Sequence, residues 1–401
     1  MSRRNDKASY CALGSLVTKI EGGGTPSKEV PDFWDGDIPL LTIKDLPNAR
    51  LGVTVDRITA KGLESSSSKI VPAGIPVIAT RMDVGKVVRC PVPVAINQDL
   101  RAIYPDPAKV DVDYIVQALP TLEREFRRYS CGSTVMGIGI DDLKSVKIYL
   151  PSLVEQRKIA DILRTWDEAI ETAEAELKAK QERKRGLTKK LLMPSAEGDG
   201  VLSSKKNKAS YSPLGALVIK IEGGGTPSKE VPGFWDGDIP LLTIKDLPNA
   251  RLGLTVDRIT TSGLESSSSK IVPAGIPVIA TRMDVGKVVR CPVQVAINQD
   301  LRAIYPDPDK VDVDYIVQVL PTLEREFLRY SCGSTVMGIG IDDLKSVKIY
   351  LPPLAEQRKI AEILQGADSD IETINHRIES LRTQKRGLMQ KLLTGEVRVA
   401  A

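Results

Sequence analysis

Glycine, hydroxyl and cationic side chains recur together in several predicted loops, a combination suited to binding phosphate groups. Backbone N–H groups of such loops can approach an anion, while Arg, Lys, Asn and Gln also donate hydrogen bonds to base edges. The same loop composition is also typical of turns that contact no nucleic acid, and this alternative stays open. The candidate nucleic-acid contacts in the first part of the chain are Thr25, Ser27, Lys28, Lys44, Arg81, Lys86, Asn97, Gln98, Ser133 and Thr134. Their counterparts 201 positions later are Thr226, Ser228, Lys229, Lys245, Arg282, Lys287, Asn298, Gln299, Ser334 and Thr335.

The residue types needed for catalysis are scarce. A single histidine, His376, argues against acid–base or metal chemistry built on histidine. The run Gly-Gly-Gly-Thr-Pro lacks the Gly-Lys-Ser/Thr ending of a phosphate loop, and Gly137 and Gly139 lack the third glycine of a dinucleotide site. Asp141 and Asp142 begin a predicted turn or helix, where capping is favoured over catalysis. We therefore predict no catalytic residue, no metal site and no cofactor in this chain.

Charge and cysteine content add only weak constraints. The chain has a formal charge of +4, yet residues 9–151 hold 17 basic and 17 acidic side chains, and residues 210–352 hold 15 and 17. The run 178–190 has seven cations and one Glu, which is typical of a solvated helix face or a face that docks a protein. Five cysteines without a Cys-x-x-Cys pair favour reduced thiols. Without a signal peptide or a long apolar run, we expect a cytoplasmic protein.

A long internal repeat organises the sequence. Residues 8–151 align with residues 209–352 without a gap, and 12 of the 144 aligned pairs differ. The differences include Cys11/Ser212, Asp32/Gly233, Pro93/Gln294 and Arg127/Leu328. Each copy is long enough to bury its own hydrophobic core, so we expect two domains of one fold.

Each copy mixes predicted strands with short helices. In the first copy we expect a strand over 38–46, a hairpin over 76–90, a helix over 109–130 that breaks at Pro120, and a strand over 145–151. Turn residues separate these elements, and the connecting loops are rich enough to carry function. The pattern indicates a mixed α/β domain.

A different pattern follows each copy. Apolar residues alternate at spacings of four and three along Ile159, Leu163, Trp166, Ile170 and Leu177, and again along Ile360, Leu364, Ile371 and Ile378. Such heptads are typical of coiled-coil helices, and Ser152 and Glu155 have the spacing of a helix-capping box. We therefore predict an α+β protein in which two similar mixed α/β domains are joined by two long antiparallel coiled-coil helices with pseudo-twofold symmetry.

The predicted segments have definite boundaries. They are a first domain over 1–151, a central helix over 152–193, a linker over 194–208, a second domain over 209–352, a second helix over 353–395 and a tail over 396–401. The linker is polar and glycine-containing, which is typical of a flexible connection.

Several of these segments resemble the DNA specificity subunits of type I restriction-modification systems. The resemblance is carried by the glycine-rich segment 22–46, by CGSTVMGIGIDDLKSVKIYLP at 131–151, and above all by LPSLVEQRKIADIL at 150–163 and LPPLAEQRKIAEIL at 351–364. KRGLMQKLLTGEVRV at 385–399 is similar to the usual C-terminal ending of that family. The resemblance covers nearly the whole chain.

This resemblance implies partners and a division of labour. The two domains would be target-recognition domains, each reading half of a split site in double-stranded DNA, and the chain itself would be non-catalytic. Two methyltransferase (M) subunits would dock on it and methylate adenine, with S-adenosylmethionine bound to them. A restriction and translocase (R) subunit would join for cleavage.

The near identity of the two domains departs from the usual family pattern, in which the domains differ and the site is asymmetric. Identical readers in an inverted arrangement imply an interrupted palindrome. Two other functions stay open at the level of sequence: a coiled-coil scaffold for protein partners that does not bind DNA, and the recognition part of a fused methyltransferase.

Overall fold

A computed structural model describes residues 9–130, 137–193, 210–331 and 338–399 of the chain. Four candidate contacts, Ser133, Thr134, Ser334 and Thr335, and the predicted linker 194–208 lie outside the described residues. Two similar α/β domains are present, and one long helix follows each of them. This arrangement confirms the predicted fold class.

Three small sheets build the first domain. Its strands are β1 (Ser9–Ala12), β2 (Val17–Gly22), β3 (Trp34–Leu41), β4 (Asp56–Ile58), β5 (Lys69–Val71), β6 (Pro76–Ala79), β7 (Val87–Arg89), β8 (Val94–Ile96), β9 (Leu100–Pro105) and β10 (Lys147–Leu150). One sheet has the order β2-β9-β6-β7 and a second the order β4-β3-β8-β5, while β1 pairs with β10. All pairs are antiparallel except β3 with β8.

Short helices cover these sheets. They are α1 (Leu13–Leu16), α2 (Ala60–Glu64), α3 (Val112–Ala118), α4 (Glu123–Ser130) and α5 (Ile140–Ser145). The helix predicted over 109–130 is broken at Pro120 as expected, because a 3-10 turn, Leu119–Leu122, separates α3 from α4. The predicted hairpin is confirmed by the antiparallel pairing of β6 with β7.

The strand predicted over 38–46 is wrong in its second half. Strand β3 ends at Leu41, and a 3-10 helix, Ile43–Leu51, follows. Thr42 N and Thr42 Oγ1 both donate to Asp45 Oδ2, at 2.8 and 2.7 Å, while Val55 N donates to Asp45 Oδ1 at 2.7 Å. The apolar residues favoured a strand, but the buried Asp45 carboxylate caps a helix here instead.

The second domain repeats this topology. Its strands are β11 (Tyr211–Pro213), β12 (Val218–Gly223), β13 (Trp235–Leu242), β14 (Asp257–Ile259), β15 (Lys270–Val272), β16 (Pro277–Ala280), β17 (Val288–Arg290), β18 (Val295–Ile297), β19 (Leu301–Pro306) and β20 (Lys348–Tyr350). Its helices are α7 (Leu214–Leu217), α8 (Thr261–Glu265), α9 (Val313–Val319), α10 (Glu324–Ser331) and α11 (Ile341–Ser346). The long helix after the first domain is α6 (Leu153–Leu192), and the long helix after the second domain is α12 (Leu354–Leu392).

The chain divides into two compact units. The first unit holds residues 1–174 and 376–401, and the second unit holds residues 175–375. Each unit therefore contains one α/β domain, the first half of the helix that follows it and the second half of the other long helix. The second unit is continuous in sequence, whereas the first draws on both ends of the chain.

The long helices pair antiparallel within the first unit. Lys385 Nζ contacts Asp167 Oδ1 at 2.6 Å, and Arg382 Nη2 contacts Glu174 Oε1 at 2.7 Å. Residue numbers rise along α6 as they fall along α12, which fixes the direction. Gln117 Nε2 of α3 donates to Asp167 Oδ2 at 2.8 Å, so the same aspartate also ties the domain to the helix pair.

The second unit contains an equivalent set of contacts around Asp368. Lys184 Nζ contacts Asp368 Oδ1 at 2.5 Å, and Gln318 Nε2 donates to Asp368 Oδ2 at 3.0 Å. Lys180 Nζ adds a contact with Asp370 Oδ2 at 2.6 Å. Lys180 and Lys184 continue the heptad spacing three and seven residues after Leu177, and each pairs its charge with an aspartate of α12.

The residues of the predicted helix seam differ in burial. Buried members are Ile159, Leu163, Ile360, Leu364 and Ile378, and partly buried members are Trp166, Ile170, Leu177 and Ile371. Ile159 and Leu163 belong to the same hydrophobic core as Leu13, Tyr114 and Leu392. The start of the helix is therefore part of the domain core.

Candidate nucleic-acid interface

Three loops meet at one edge of the first domain. Thr25 lies in the loop after β2, Arg81 in the loop after β6, and Gln98 in the loop between β8 and β9. Thr25 Oγ1 donates to Gln98 Oε1 at 2.5 Å, and Gln98 remains exposed. Because its carbonyl accepts this bond, the Gln98 amide nitrogen is positioned to donate to an external acceptor. A base edge presents such acceptors.

Close packing explains the glycines that precede Thr25. A side chain added at Gly23 would place its Cβ 1.9 Å from the backbone oxygen of Ile96, at the end of β8. Gly24 N donates to the same oxygen at 3.1 Å. These glycines bring the Thr25 loop against the sheet, rather than opening room for a phosphate.

Arg101 is a further candidate at this edge that the sequence analysis did not identify. Its Nη1 donates to the backbone oxygens of Gln98 and Leu100, each at 2.8 Å. Burial lowers the pKa of the Arg101 guanidinium, and the charge of nearby Arg81 lowers that pKa further, while Asp99 opposes the shift. Only the fold shows that Arg101 is close to Arg81, so residue type and spacing gave no signal.

Two guanidinium groups therefore lie near one carboxylate, and Arg81 forms an ion pair with it. Arg81 Nη1 lies 3.8 Å from Asp99 Oδ1, and Asp99 is anchored in turn by Thr80 N, which donates to its backbone oxygen at 2.8 Å. The two arginines and one aspartate leave a local excess of one positive charge, which suits a phosphate. We call Thr25, Arg81, Gln98, Asp99 and Arg101 the loop cluster.

Asn97 has an internal role in this geometry. Only 7% of Asn97 is exposed, its Nδ2 donates to Asp99 Oδ2 at 2.9 Å, and its Oδ1 accepts from Asp99 N at 3.1 Å. Both amide atoms thus shape the turn that presents Gln98 and Asp99.

The β6–β7 hairpin borders the loop cluster. Arg81 forms an isolated antiparallel β-bridge with Gly137, the first described residue after 130. Lys86 Nζ contacts Asp83 Oδ2 at 2.7 Å, with both side chains exposed. Met82, between Arg81 and Asp83 in the chain, has a φ of 51° and is 74% exposed.

The remaining candidates are not joined to the loop cluster by contacts among the described residues. Ser27 Oγ accepts from Glu29 N at 3.3 Å, and Ser27 O accepts from Trp34 Nε1 at 3.0 Å, which are contacts within their own loop. Lys28 and Lys44 are exposed. Their cationic groups remain candidates for phosphate contact on their own loops.

The second domain repeats the loop cluster with nearly the same distances. Thr226 Oγ1 donates to Gln299 Oε1 at 2.5 Å, and Arg282 Nη1 lies 3.9 Å from Asp300 Oδ1. Arg302 Nη1 donates to the backbone oxygen of Gln299 at 2.9 Å. The other counterparts also match. Asn298 Nδ2 donates to Asp300 Oδ2 at 2.9 Å, and Lys287 pairs with Asp284 at 2.6 Å. Ser228 Oγ accepts from Glu230 N, and Lys229 and Lys245 are exposed.

The joint between the first domain and its helix contains a buried glutamine. Gln156 is 1% exposed; its Oε1 accepts from Asp111 N at 2.8 Å, and its Nε2 donates to Pro151 O at 2.9 Å. Gln357 makes the equivalent bonds to Asp312 N and Pro352 O, each at 2.8 Å. One side chain in each copy thus fixes the helix to the domain.

The preceding glutamate differs between the copies. Glu155 is buried, and Arg398 Nη2 donates to its Oε2 at 2.7 Å while Val399 N donates to its Oε1 at 3.1 Å. Glu155 N donates to Ser152 Oγ at 3.3 Å, so only the Ser152 half of the predicted capping box forms. The counterpart of Glu155, Glu356, is partly exposed.

No helix among the described residues is long and apolar enough to span a membrane. The family model for the type I restriction modification DNA specificity domain matches residues 6–181 and 217–383. The chain is 25% identical over 399 residues to the type I restriction enzyme MjaIX specificity subunit of Methanocaldococcus jannaschii, covering 96% of this chain and 92% of that protein.

Two further comparisons agree. The type I restriction enzyme EcoR124I/EcoR124II specificity subunit of Escherichia coli is 32% identical over 174 residues, covering 42% of this chain and 43% of that protein. The crystal structure of the type I restriction-modification S subunit from M. genitalium superposes with a TM-score of 0.64 at 15% identity, covering 98% of each chain.

Proposed function

Because this chain belongs to the type I restriction modification DNA specificity family, we propose that its two α/β domains each read one half of a bipartite DNA site. The chain is a specificity subunit and not an enzyme, and it uses no cofactor of its own. Its family partners are DNA and the methyltransferase and restriction subunits. Because the proposed partner is double-stranded DNA, we place the chain in the cytoplasm.

The assembly contains two methyltransferase subunits, one for each unit of the chain. Each unit offers the same combination of one domain and one antiparallel helix pair, which supports two equivalent docking surfaces. S-adenosylmethionine binds to those methyltransferase subunits, where adenine is methylated. A restriction subunit joins this complex for cleavage.

The observation that carries the proposal is the duplicated loop cluster. Its hydrogen-bond donors and its local positive charge occur at the same positions in both domains. Gln98 and Gln299 supply base-edge donors, whereas the paired arginines supply phosphate contacts. We therefore propose that the two nearly identical domains read the same half-site sequence on opposite strands, so that the whole site is an interrupted palindrome.

A selection experiment tests this function. The full chain, purified with its methyltransferase subunit, is mixed with a pool of random duplexes, and the bound duplexes are sequenced. We expect enrichment of one bipartite motif. A protein scaffold that does not bind DNA would enrich no motif, and a fused methyltransferase would transfer methyl groups without the partner subunit.

A further inference from the structure

Met82 and Met283 combine two unfavourable features. Their φ angles are 51° and 53°, in the left-handed region that residues without a local side-chain hydrogen bond rarely adopt. Their side chains are 74% and 73% exposed. The other non-glycine residues with positive φ among those described are Asp35 and Asp236, whose short polar side chains tolerate this region better.

The hairpin holds this conformation in place. Ala79 N donates to Lys86 O at 2.9 Å, Gly85 N donates to Ala79 O at 3.0 Å, and Lys86 N donates to Asp83 O at 3.1 Å. Val84 N also contacts Met82 O within the turn. A tight, hydrogen-bonded turn therefore projects an apolar side chain outward at a backbone position that a glycine or asparagine would occupy with less strain.

Most of the Met82 surface is exposed to solvent, so the described part of the domain gains little packing from it. Its neighbours on the hairpin are charged: Arg81 belongs to the loop cluster, while Asp83 follows Met82 directly and pairs with Lys86 at 2.7 Å. An exposed apolar side chain on a hairpin that also carries two cations has the composition of a wedge that enters a base step, a role in which methionine is among the residues used.

We infer that Met82 and Met283 insert between adjacent base pairs of the bound DNA, one in each half-site. This inference rests on the proposed function, because it requires the loop cluster to face DNA. The flanking cations hold the backbone on either side while the thioether side chain separates the bases. The wedge would favour half-sites that contain an easily unstacked step, such as a pyrimidine–purine step.

The test uses the full chain in complex with its methyltransferase subunit. The double variant Met82→Asn with Met283→Asn removes the apolar side chains while asparagine tolerates the left-handed backbone. Val55→Asn with Val256→Asn is the matched control, since both valines are 75% exposed and lie on another loop. A Met→Leu double variant should restore function, because leucine keeps an apolar wedge.

Two readouts are measured on the selected duplex. Fluorescence of 2-aminopurine, placed in turn at each half-site position, reports unstacking, and anisotropy reports affinity. The parent protein should raise the fluorescence at one step, and the Met→Asn pair should abolish that rise and weaken binding about tenfold, with an equal or higher melting temperature. The valine control should match the parent in both readouts.

Companion variants distinguish the methionine wedge from the proposed DNA-binding surface. If Arg81→Ala with Arg282→Ala weakens binding while the Met→Asn pair leaves both affinity and fluorescence unchanged, the wedge is wrong and the DNA surface stands. If the arginine pair also leaves binding unchanged, the proposed DNA surface itself is wrong.

Discussion

At the scale of single residues, Gln156 gives a physical reason for the motif that carried the resemblance. The sequence Glu-Gln-Arg-Lys-Ile identified the family but did not show what the glutamine does. In the structure it satisfies the backbone of Asp111 and Pro151 at the point where the domain meets its helix. This contact joins segments distant in sequence, so local pattern could not predict it.

Replacing this glutamine should destabilise the first unit. Gln156→Leu leaves Asp111 N and Pro151 O buried without their partner, at a cost of about 1–3 kcal/mol for each unsatisfied group. Chemical denaturation followed by circular dichroism measures the loss. Gln181→Leu, on an exposed position of the same helix, is the control and should change stability by less than about 0.5 kcal/mol. Equal midpoints for the two variants would rule out the proposed joint.

The arginines of the loop cluster should act through phosphate contacts. Arg81→Ala with Arg282→Ala should weaken binding to all sequences to a similar degree, because phosphates carry no sequence information. The slope of log affinity against log salt should fall by about one for each phosphate contact that is lost, hence by about two. Titrations at several salt concentrations check this. A change in the preferred motif with an unchanged slope would assign these arginines to base edges instead.

Residue type alone selected part of the loop cluster. Thr25, Arg81 and Gln98 were found because their side chains suit nucleic-acid contact, and they meet in the fold. Arg101 and Met82 were missed, since the first depends on a neighbour from another loop and the second on a backbone angle. Neither property is visible in a single sequence.

At the scale of elements, the C-terminal residues Arg398 and Val399 bind the start of α6. Arg398 and Val399 bind Glu155, and Tyr10 donates from β1 to Thr394 O at 3.1 Å. In the alignment of the two copies, Arg398 corresponds to Glu197, so the sequence of the first copy does not repeat the arginine of this ion pair. The first unit draws on both chain ends, and this contact closes it.

The contact should make stability depend on pH. Hydrogen bonding to Arg398 holds the pKa of Glu155 below its usual value, although burial opposes this shift. Since the folded-state pKa is lowered, the stabilisation is present above the unfolded-state pKa of about 4.3 and is lost as pH falls through the folded value. Glu155→Gln should therefore lower the melting temperature at pH 7 and have little effect at acidic pH.

The repeat provides the matched control for this experiment. Glu356→Gln changes the equivalent carboxylate, which is partly exposed and, in the described part of the chain, has no ion-pair partner. Its melting temperature should stay close to that of the parent at both pH values. Identical behaviour of the Glu155 and Glu356 variants would show that the chain-end contact does not stabilise the protein.

Secondary structure was predictable where one signal dominated. The heptads gave both long helices, and Pro120 gave the break between α3 and α4. The strand over 38–46 was wrong in its second half: Ile, Leu and Thr favour a strand there, but the Thr42–Asp45 pair caps a helix and the Asp45 carboxylate also binds a distant backbone amide. Tertiary contacts decided that boundary.

At the scale of the whole molecule, the repeat is the dominant feature. It was visible in the sequence, and the structure adds that the 12 differing positions leave the loop cluster intact in both domains. None of the five residues of the loop cluster differs from its counterpart. Both domains should consequently prefer the same half-site. How the chain divides into compact units was not predictable, because the division cuts both long helices at their middle.

Mapping methylated adenines in DNA from cells that express the chain with its methyltransferase tests the central claim most directly. We predict one bipartite motif whose two halves are reverse complements of each other, separated by a spacer of fixed length. Two unrelated half-sites at the ends of the spacer would contradict the account, because two nearly identical domains could not then be its two readers.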